Sequence, residues 1–315
     1  MLSDEQQHVK IAWLYYMEGL TQAEIAIRVG TTRLRVNRLL AEARASGLVG
    51  ITINARLASC MAVEQALRAE CRLADAVIVP TPEDPALLPV LLGRAAGDYL
   101  SRYLEQNKVT GLGIGWGATL RSTIRYVRPG HYPGLSVNSM MGGLTRGQEL
   151  NTFEIASELA QRLSAQCDYL AAPIYAGSPE SRDTILDQDV FKEAFQRIAS
   201  NEIAILSVGD LTPGSLLIRY GLPSDVSPQE LAAHNAVGDI IGQFLDAEGR
   251  PIDHPLNRRV LALPLEALGN IPTVIVASGG LNKTAIIAAV LRAGLANVLI
   301  CDEDTASAAL MLVRG

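Results

Sequence analysis

The first fifty or so residues place apolar side chains at helical spacing, interrupted by glycines. Residues 4–18 predict a first helix that ends at Gly19. Its apolar positions fall on one side: Val9, Ala12, Trp13, Tyr16 and Met17. Further apolar repeats predict a short helix over Gln22–Val29 and a third helix that runs to about Ala45. The apolar run LVGITIN, residues 48–54, then predicts a strand.

The boundaries of the second and third helices carry capping signals. Thr21 precedes the second helix and Glu24 follows three residues later, which is the spacing of a capping box. Gly30 supplies the turn, and Thr31 or Thr32 caps the third helix. In the third helix the apolar residues are expected to point inward: Val36, Leu39 and Leu40.

The outer face of the third helix is polar and basic. Two short helices joined by a glycine-containing turn, the second with a basic first turn, have the layout of a helix-turn-helix, whose second helix enters the major groove of DNA. The predicted DNA-binding residues are Thr21, Gln22, Thr31, Thr32, Arg33, Arg35, Asn37 and Arg38. Contacts to base edges are predicted for Arg33, Arg35 and Asn37. Contacts to DNA phosphates are predicted for Arg38, Thr21 and Gln22. The alternative is an ordinary helical hairpin with a solvated basic face.

Beyond residue 72, apolar runs typical of buried strands alternate with helical repeats. The predicted strands are residues 75–80, 109–115, 135–143, 168–173, 203–209, 272–280 and 297–302. The clearest helical repeats are residues 87–107, 118–127 and 151–164. Glycines after apolar strands favour a doubly wound, mostly parallel sheet, which binds ligands at the carboxyl ends of its strands. A helix at about residues 59–71 has apolar positions suited to a partner chain.

Two glycine loops follow predicted strands. GIGWGAT, residues 113–119, offers backbone N–H groups and the Thr119 hydroxyl near a helix start, which suits an anion. The loop also matches G-x-G-x-x-A, but the following strand lacks the acid that would hold a ribose, which argues against a nicotinamide cofactor. MMGG, residues 140–143, is the second loop, and a purely structural tight turn is its alternative interpretation.

Two aspartates and a lysine complete the candidate chemistry. Val-Gly-Asp occurs twice: Asp210 ends a strand, and Asp239 is predicted to begin the helix IIGQFLD. A carboxylate at either position suits the hydroxyls of a sugar diol, and helix capping is the alternative. In SGGLNKTA, residues 278–285, Lys283 falls in the first turn of a helix, where the dipole disfavours a cation. An anionic partner would explain this placement.

Composition and charge separate the two ends of the chain. The 315 residues carry a formal charge of -6 and are 49 % hydrophobic, as in a well-buried globular protein. Residues 1–56 hold seven basic and five acidic side chains, a charge of +2 that leaves -8 for the remainder. DNA contact is therefore expected through the N-terminal part. The scattered cysteines and histidines predict no metal site, and the absence of an export signal or apolar span predicts a cytoplasmic protein without membrane contact.

Taken together, these features resemble the SorC family of sugar-responsive bacterial transcriptional regulators. The resemblance covers about residues 8–313. It is carried by VKIAWLYYMEGLTQAEIAIRVGTTRLRVNRLL, GIGWGATL, AVGDIIGQFLDAEG and ASGGLNKTAIIAAVLRAGLANVLICDEDTA. It implies a C-terminal domain similar to sugar-phosphate isomerases of the glucosamine-phosphate deaminase type, usually without their activity. It also implies a sugar, polyol or sugar-phosphate effector and a homodimer or homotetramer.

The family pattern and the loops described above together give the expected effector-binding set: Gly115, Trp116, Gly117, Ala118, Thr119, Gly142, Gly143, Asp210, Asp239 and Lys283. The resemblance implies that Asp239 holds ligand hydroxyls and that Lys283 holds an anionic or polar end. His234 and Asn235 stand where small residues are common in the family, and Cys301 stands where Thr is common. These departures bear on ligand identity.

The expected architecture is α/β: a small all-α helix-turn-helix domain of winged type, followed by a doubly wound, Rossmann-like, sugar-isomerase-type domain. The predicted domains are residues 1–56 for DNA binding, 57–72 for a connecting or oligomerisation helix and 73–315 for the effector. The predicted function is regulation of a carbohydrate or polyol operon, with no catalytic residue, cofactor or metal. An active sugar-phosphate isomerase or deaminase is the alternative, with Asp210, Asp239 or His234 as its base.

Overall fold

Two units follow one another in the computed structural model, which describes residues 4–45, 48, 55–144 and 151–315. The first unit is Met1–Ala55 and the second is Arg56–Gly315. The strand predicted at 48–54 lies outside the described residues, except for Leu48.

The described part of the first unit contains α1 (Asp4–Tyr16), α2 (Gln22–Val29) and α3 (Arg33–Ala45), as predicted. Apolar side chains from each helix form one core: Ile11, Leu14, Ile25, Ala26, Val36, Leu39 and Leu40. The apolar side predicted for α1 is wrong, because Trp13 and Met17 are 57 % and 67 % exposed. Apolar residues occur on both sides of α1, so periodicity alone could not identify the side that packs against α2 and α3.

Local hydrogen bonds fix the ends of these helices. The Glu24 N–H donates to the Thr21 hydroxyl over 3.3 Å and the Thr21 N–H donates to the Glu24 carboxylate over 2.8 Å, which confirms the capping box. Gly30 has φ 68°, the left-handed conformation that glycine adopts without steric cost. The Arg35 N–H donates to the Thr32 hydroxyl over 3.2 Å, so Thr32 rather than Thr31 caps α3.

The second unit contains the following strands: β1 (Asp75–Val79), β2 (Gly111–Ile114), β3 (Ser136–Ser139), β4 (Gln166–Asp168), β5 (Ile203–Leu206), β6 (Val208–Gly209), β7 (Gly238–Ile240), β8 (Gln243–Leu245), β9 (Thr273–Ala277) and β10 (Val298–Asp302). Among the described residues, seven of them form a parallel sheet in the order β1-β10-β9-β5-β2-β3-β4. The order runs β2-β3-β4 in one direction and β5-β9-β10 in the other. The reversal between β2 and β5 makes the sheet doubly wound, which confirms the predicted fold class.

Helices connect and cover these strands. They are α4 (Ala55–Glu70), α5 (Leu88–Gln106), α6 (Ala118–Tyr126), α7 (Thr152–Leu163), α8 (Pro179–Leu186), α9 (Asp189–Ala199), α10 (Pro228–Ala233), α11 (Leu265–Leu268), α12 (Thr284–Arg292) and α13 (Glu303–Arg314). Strands β2, β5 and β10 are buried along their whole length. Successive side chains of a strand point to opposite faces of the sheet, so complete burial of a strand requires both faces to be covered. This is expected of a parallel sheet with crossover helices.

Two sequence predictions fail in the second unit. The helix predicted after Asp239 is a hairpin, in which β7 and β8 are joined by Ile241 at φ 45° and Gly242 at φ 79°. Two successive positive φ angles suit a tight hairpin turn. A β-branched residue is rare in that conformation, so the sequence did not indicate a turn at Ile241.

The strand predicted over residues 168–173 is the second failure, because β4 ends at Asp168. Beyond it the Ala172 N–H donates to the Leu170 carbonyl over 2.7 Å, a tight turn that interrupts the extended run. Leu170 packs instead into a separate small cluster with Ala176 and Leu261.

Candidate functional site

A cavity of about 330 Å³ lies where the strand order reverses, at the carboxyl ends of β2 and β5. We name it the carboxylate–lysine cavity. Its polar walls come from four separate segments and include Thr119, Ser207, Asp210, Thr212, Ser215, Asp239, Asn282 and Lys283. Its volume falls within the range of small-molecule sites.

The glycine loop after β2 forms one wall. Trp116, Gly117, Ala118 and Thr119 line the cavity, and Gly115 leads into them from the strand. Gly117 has φ 126°, outside the range that other residues readily adopt, and it immediately precedes α6. The N–H groups in the first turn of α6 have no partner within the helix, so this wall offers hydrogen-bond donors and a positive helix end.

Asp210 is 3 % exposed and is fixed by two hydrogen bonds. One carboxylate oxygen accepts from the Thr212 N–H over 2.6 Å and the other from the Asn282 side-chain amide over 2.5 Å. These bonds join the segment after β6 to the loop after β9, so Asp210 holds two walls of the cavity together.

Asp239 is 4 % exposed and lies in β7. Its Oδ2 accepts from the Gly242 N–H across the hairpin turn, over 3.0 Å. A Cβ on Gly209 would lie 2.2 Å from its Oδ1, so a larger residue at this neighbouring strand position would displace the carboxylate. Burial raises the pKa of Asp239 to about 7, against the opposing effects of the Gly242 N–H and the Lys283 charge.

Lys283 lies at the start of α12, after the two glycines that follow β9. Its ammonium donates to the Ser278 hydroxyl over 3.3 Å, and the Ser207 hydroxyl lies 3.3 Å from the same oxygen. Burial lowers the pKa of Lys283, while the charges of Asp210 and Asp239 act in the opposite direction. Within the described residues the ammonium makes no ion pair shorter than 4.0 Å, so a ligand can reach a cation and two carboxylates separately.

Several lining residues were not singled out from the sequence. Ser207, Thr212, Ser215 and Asn282 reach the cavity because they adjoin the loops that carry Asp210 and Lys283. Isolated polar residues next to a motif have no spacing of their own, so only the folded chain reveals them. The one available signal was their position just beyond an apolar strand.

The structure does not place Gly142 and Gly143 at this cavity. A Cβ on Gly142 would lie 2.3 Å from the Pro173 carbonyl oxygen, and one on Gly143 would lie 2.5 Å from the Phe153 ring. Neighbouring atoms therefore leave no space for a side chain at either position. Gly143 lines a separate cavity. His234 does not line the carboxylate–lysine cavity either: it is exposed, and its ring makes a T-shaped contact with the His254 ring at 4.9 Å between centroids. Cys301 is fully buried, and burial raises the pKa of its thiol.

The residues expected to contact DNA lie on the surface of the first unit. Thr21, Thr32, Arg33, Arg35, Asn37 and Arg38 are exposed, and Gln22 and Thr31 are half-buried. Thr21, Gln22 and Arg33 border one shallow depression. The Gln22 amide lies 3.5 Å from the Asn37 side-chain oxygen, and Arg38 lies 3.5 Å from the Glu42 carboxylate. The start of α2 and the outer face of α3 thus bring these polar side chains together.

The described residues contain no cluster of metal-binding side chains and no helix long and apolar enough to cross a membrane. Comparison with protein families matches residues 55–311 to the family described as "Putative sugar-binding domain". That match covers most of the second unit, including every wall of the carboxylate–lysine cavity.

Relatives match over nearly the whole chain. The transcriptional regulator LsrR of Escherichia coli O9:H4 (strain HS) is 30 % identical over 320 residues, which cover 98 % of this chain and 96 % of that protein. The erythritol catabolism regulatory protein EryD of Brucella abortus (strain 2308) is 28 % identical over 306 residues, 97 % and 96 % of the two chains. The full-length sorbitol operon regulator SorC of Klebsiella pneumoniae superposes with a TM-score of 0.72 at 25 % identity, over 98 % and 100 % of the two chains.

Proposed function

Because the chain belongs to the SorC family of sugar-binding transcriptional regulators, we propose that it binds operator DNA through its first unit and a sugar-like effector through its second. It regulates a carbohydrate or polyol catabolic operon, and the effector modulates its DNA binding. One observation carries the assignment of the site. Asp210, Asp239, Lys283 and the loop from Gly117 to Thr119 converge on a single cavity at the reversal of the sheet.

The polar groups of the cavity suit a polyhydroxylated ligand. Asp239 and Asp210 accept hydrogen bonds from vicinal hydroxyls, and Lys283 donates to an oxygen or anionic group at one end of the ligand. The N–H groups around Gly117 and Thr119 donate from the wall formed by the glycine loop. Erythritol and sorbitol appear in the names of relatives, and a small sugar, polyol or sugar phosphate is the corresponding class of effector here.

In the first unit, α3 lies in the major groove. Arg33, Arg35 and Asn37 contact base edges. Arg38, Thr21 and Gln22 contact phosphates, and Thr31 and Thr32 lie at the same end of the helix. Residues 1–56 carry a charge of +2 against -8 for the rest of the chain, so DNA is drawn to this surface.

Regulation requires two states of the protein with different affinity for the effector. A homodimer or homotetramer presents two recognition helices to half-sites, and residues 57–72 contribute to the contact between protomers. An effector that prefers one arrangement changes DNA affinity by a coupling free energy of roughly 1–3 kcal/mol. The protein acts in the cytoplasm, where its DNA lies.

A sugar-phosphate isomerase is the second candidate, favoured by one observation. The pKa of Asp239, raised to about 7, is the value that suits a general base at neutral pH. The relatives are named as regulators, and His234, the third candidate base, does not line the cavity.

Fluorescence anisotropy of labelled DNA from upstream of the gene and its neighbours tests this proposal. It is titrated at fixed salt, with and without sugars, polyols and their phosphates. We expect specific binding that one compound shifts. Lys283→Met should abolish the shift and leave DNA affinity unchanged, while the exposed Lys108→Met serves as a matched control. Turnover of a sugar phosphate without specific DNA binding would favour the enzyme.

A further inference from the structure

A second cavity of the second unit has an electrostatic character opposite to the first. It measures about 350 Å³, and we name it the arginine cavity. Its charged lining residues are Arg219 and Arg259, and none of its described lining residues is acidic. It shares no described lining residue with the carboxylate–lysine cavity.

Arg259 is built into the wall of the arginine cavity. It is 9 % exposed, its Nε donates to the Ala176 carbonyl over 2.8 Å, and its Nη1 donates to Asp225 over 2.9 Å. The remaining nitrogen, Nη2, has no hydrogen-bond partner among the described residues. A nearly buried guanidinium held by two bonds presents its remaining donors in a fixed direction, which lowers the entropic cost of binding an oxyanion.

Arg219 faces the same space from a different element. It belongs to a single π-helical turn, Leu217–Gly221, of a kind that is rare and concentrated at functional sites. Its guanidinium stacks on the Tyr220 ring at 5.0 Å and makes no hydrogen bond with the described part of the chain. The stacking orients the side chain and leaves its N–H groups for a ligand.

We propose that the arginine cavity binds a phosphorylated small molecule, whose phosphate accepts hydrogen bonds from Arg219 and Arg259. Arg219 binds phosphate oxygens in a planar fork, and Arg259, which is paired with Asp225, donates to them from Nη2, so the site offers charge-assisted donors from two directions. The volume holds a phosphate with a small organic group attached. This site is separate from the effector site, so the two proposals stand or fall independently.

Phosphorus NMR and calorimetry test the site with inorganic phosphate and glucose 6-phosphate as probes, and with glucose as the unphosphorylated control. The full-length Lys283→Met variant is the background, because it removes the cation of the other cavity. We expect both phosphates to bind and glucose not to bind. Arg219→Gln should weaken binding about tenfold or more, as loss of a charge-assisted hydrogen bond does. The exposed Arg219 makes no bond that folding needs, so this variant should fold.

Arg258→Gln is the matched control. Arg258 precedes Arg259 in the chain but is exposed, pairs with Asp253 at 2.9 Å and does not line the cavity. Its replacement should leave phosphate binding unchanged. Absence of phosphate binding in the Lys283→Met background, or equal weakening by Arg219→Gln and Arg258→Gln, would overturn the proposal. Failure of the DNA-binding experiment would leave it intact.

Discussion

The two units place their candidate binding groups in opposite environments. In the first unit, Arg33 and Arg35 are exposed on the outer face of a helix whose inner face forms the core. In the second unit, Asp210 and Asp239 are 3 % and 4 % exposed and hold cavity walls together. A surface residue can change without disturbing the core, whereas a buried charge contributes to binding and stability at once. Substitutions should therefore separate binding from folding in the first unit and combine them in the second.

The largest expected effect concerns Asp239, which tests the combined behaviour of the second unit. Its pKa rises from 3.8 to about 7 on folding, so the folded state favours the protonated carboxyl. The stability it contributes is fully present below pH 3.8 and is lost as the pH rises through 7. Asp239→Asn keeps an acceptor for the Gly242 N–H and removes this titration. From about pH 4 to about pH 8, wild type should lose on the order of 4 kcal/mol relative to the variant.

Urea unfolding of both proteins across this pH range measures the difference. Asp246→Asn is the control: the pKa of the half-buried Asp246 is lowered, so the stability it contributes is lost only as the pH falls below the ordinary value of 3.8 and should change little across this range. If the difference between wild type and Asp239→Asn did not change with pH, Asp239 would have an ordinary pKa and the contrast between the units would weaken.

The same contrast explains what could be predicted from the sequence. The bounds of α2 were predicted correctly because Thr21, Glu24 and Gly30 act within a few residues of one another. Apolar runs predicted β1, β2, β3, β5, β9 and β10 in their order along the chain, but not α8, α9 or the small sheet of β6, β7 and β8. The hairpin at Ile241 was missed because a β-branched residue at positive φ contradicts local preference.

The cavity could be predicted only in part. Asp210 and Lys283 were found because each ends or follows a recognisable strand motif. Ser207 and Asn282 carry no such signal, because they meet only when β5 and β9 become neighbours in the sheet. The packing role of Gly142 was equally hidden, since it depends on a carbonyl about thirty residues away in the chain. Contacts between residues distant in sequence account for the parts of the site that could not be predicted.

The next effect concerns DNA affinity in the first unit. Arg33→Ala and Arg35→Ala should each cost roughly 1–3 kcal/mol of specific binding and relax the preference for operator sequence. The free energy of unfolding should change little, because both side chains are exposed. Anisotropy with specific and random DNA measures the first effect, and chemical denaturation measures the second.

Arg94→Ala provides the control for this pair, because Arg94 is an exposed arginine of α5 in the second unit. It should leave DNA affinity unchanged. Equal losses on specific and random DNA would make Arg33 and Arg35 phosphate contacts. A large loss of stability in either variant would contradict the proposed separation of binding from folding.

The smallest effect concerns Thr21, which is both a helix cap and a proposed phosphate contact. Thr21→Ala removes the acceptor of the Glu24 N–H and should cost about 1 kcal/mol. Amides of α2 should then exchange with solvent about fivefold faster, as measured by hydrogen exchange of the full-length protein. Thr21→Ser keeps the hydroxyl and should restore protection. Because the cap lies within the first unit, amides of β2 and β5 should exchange at wild-type rates, and faster exchange there would show that the two units do not respond separately.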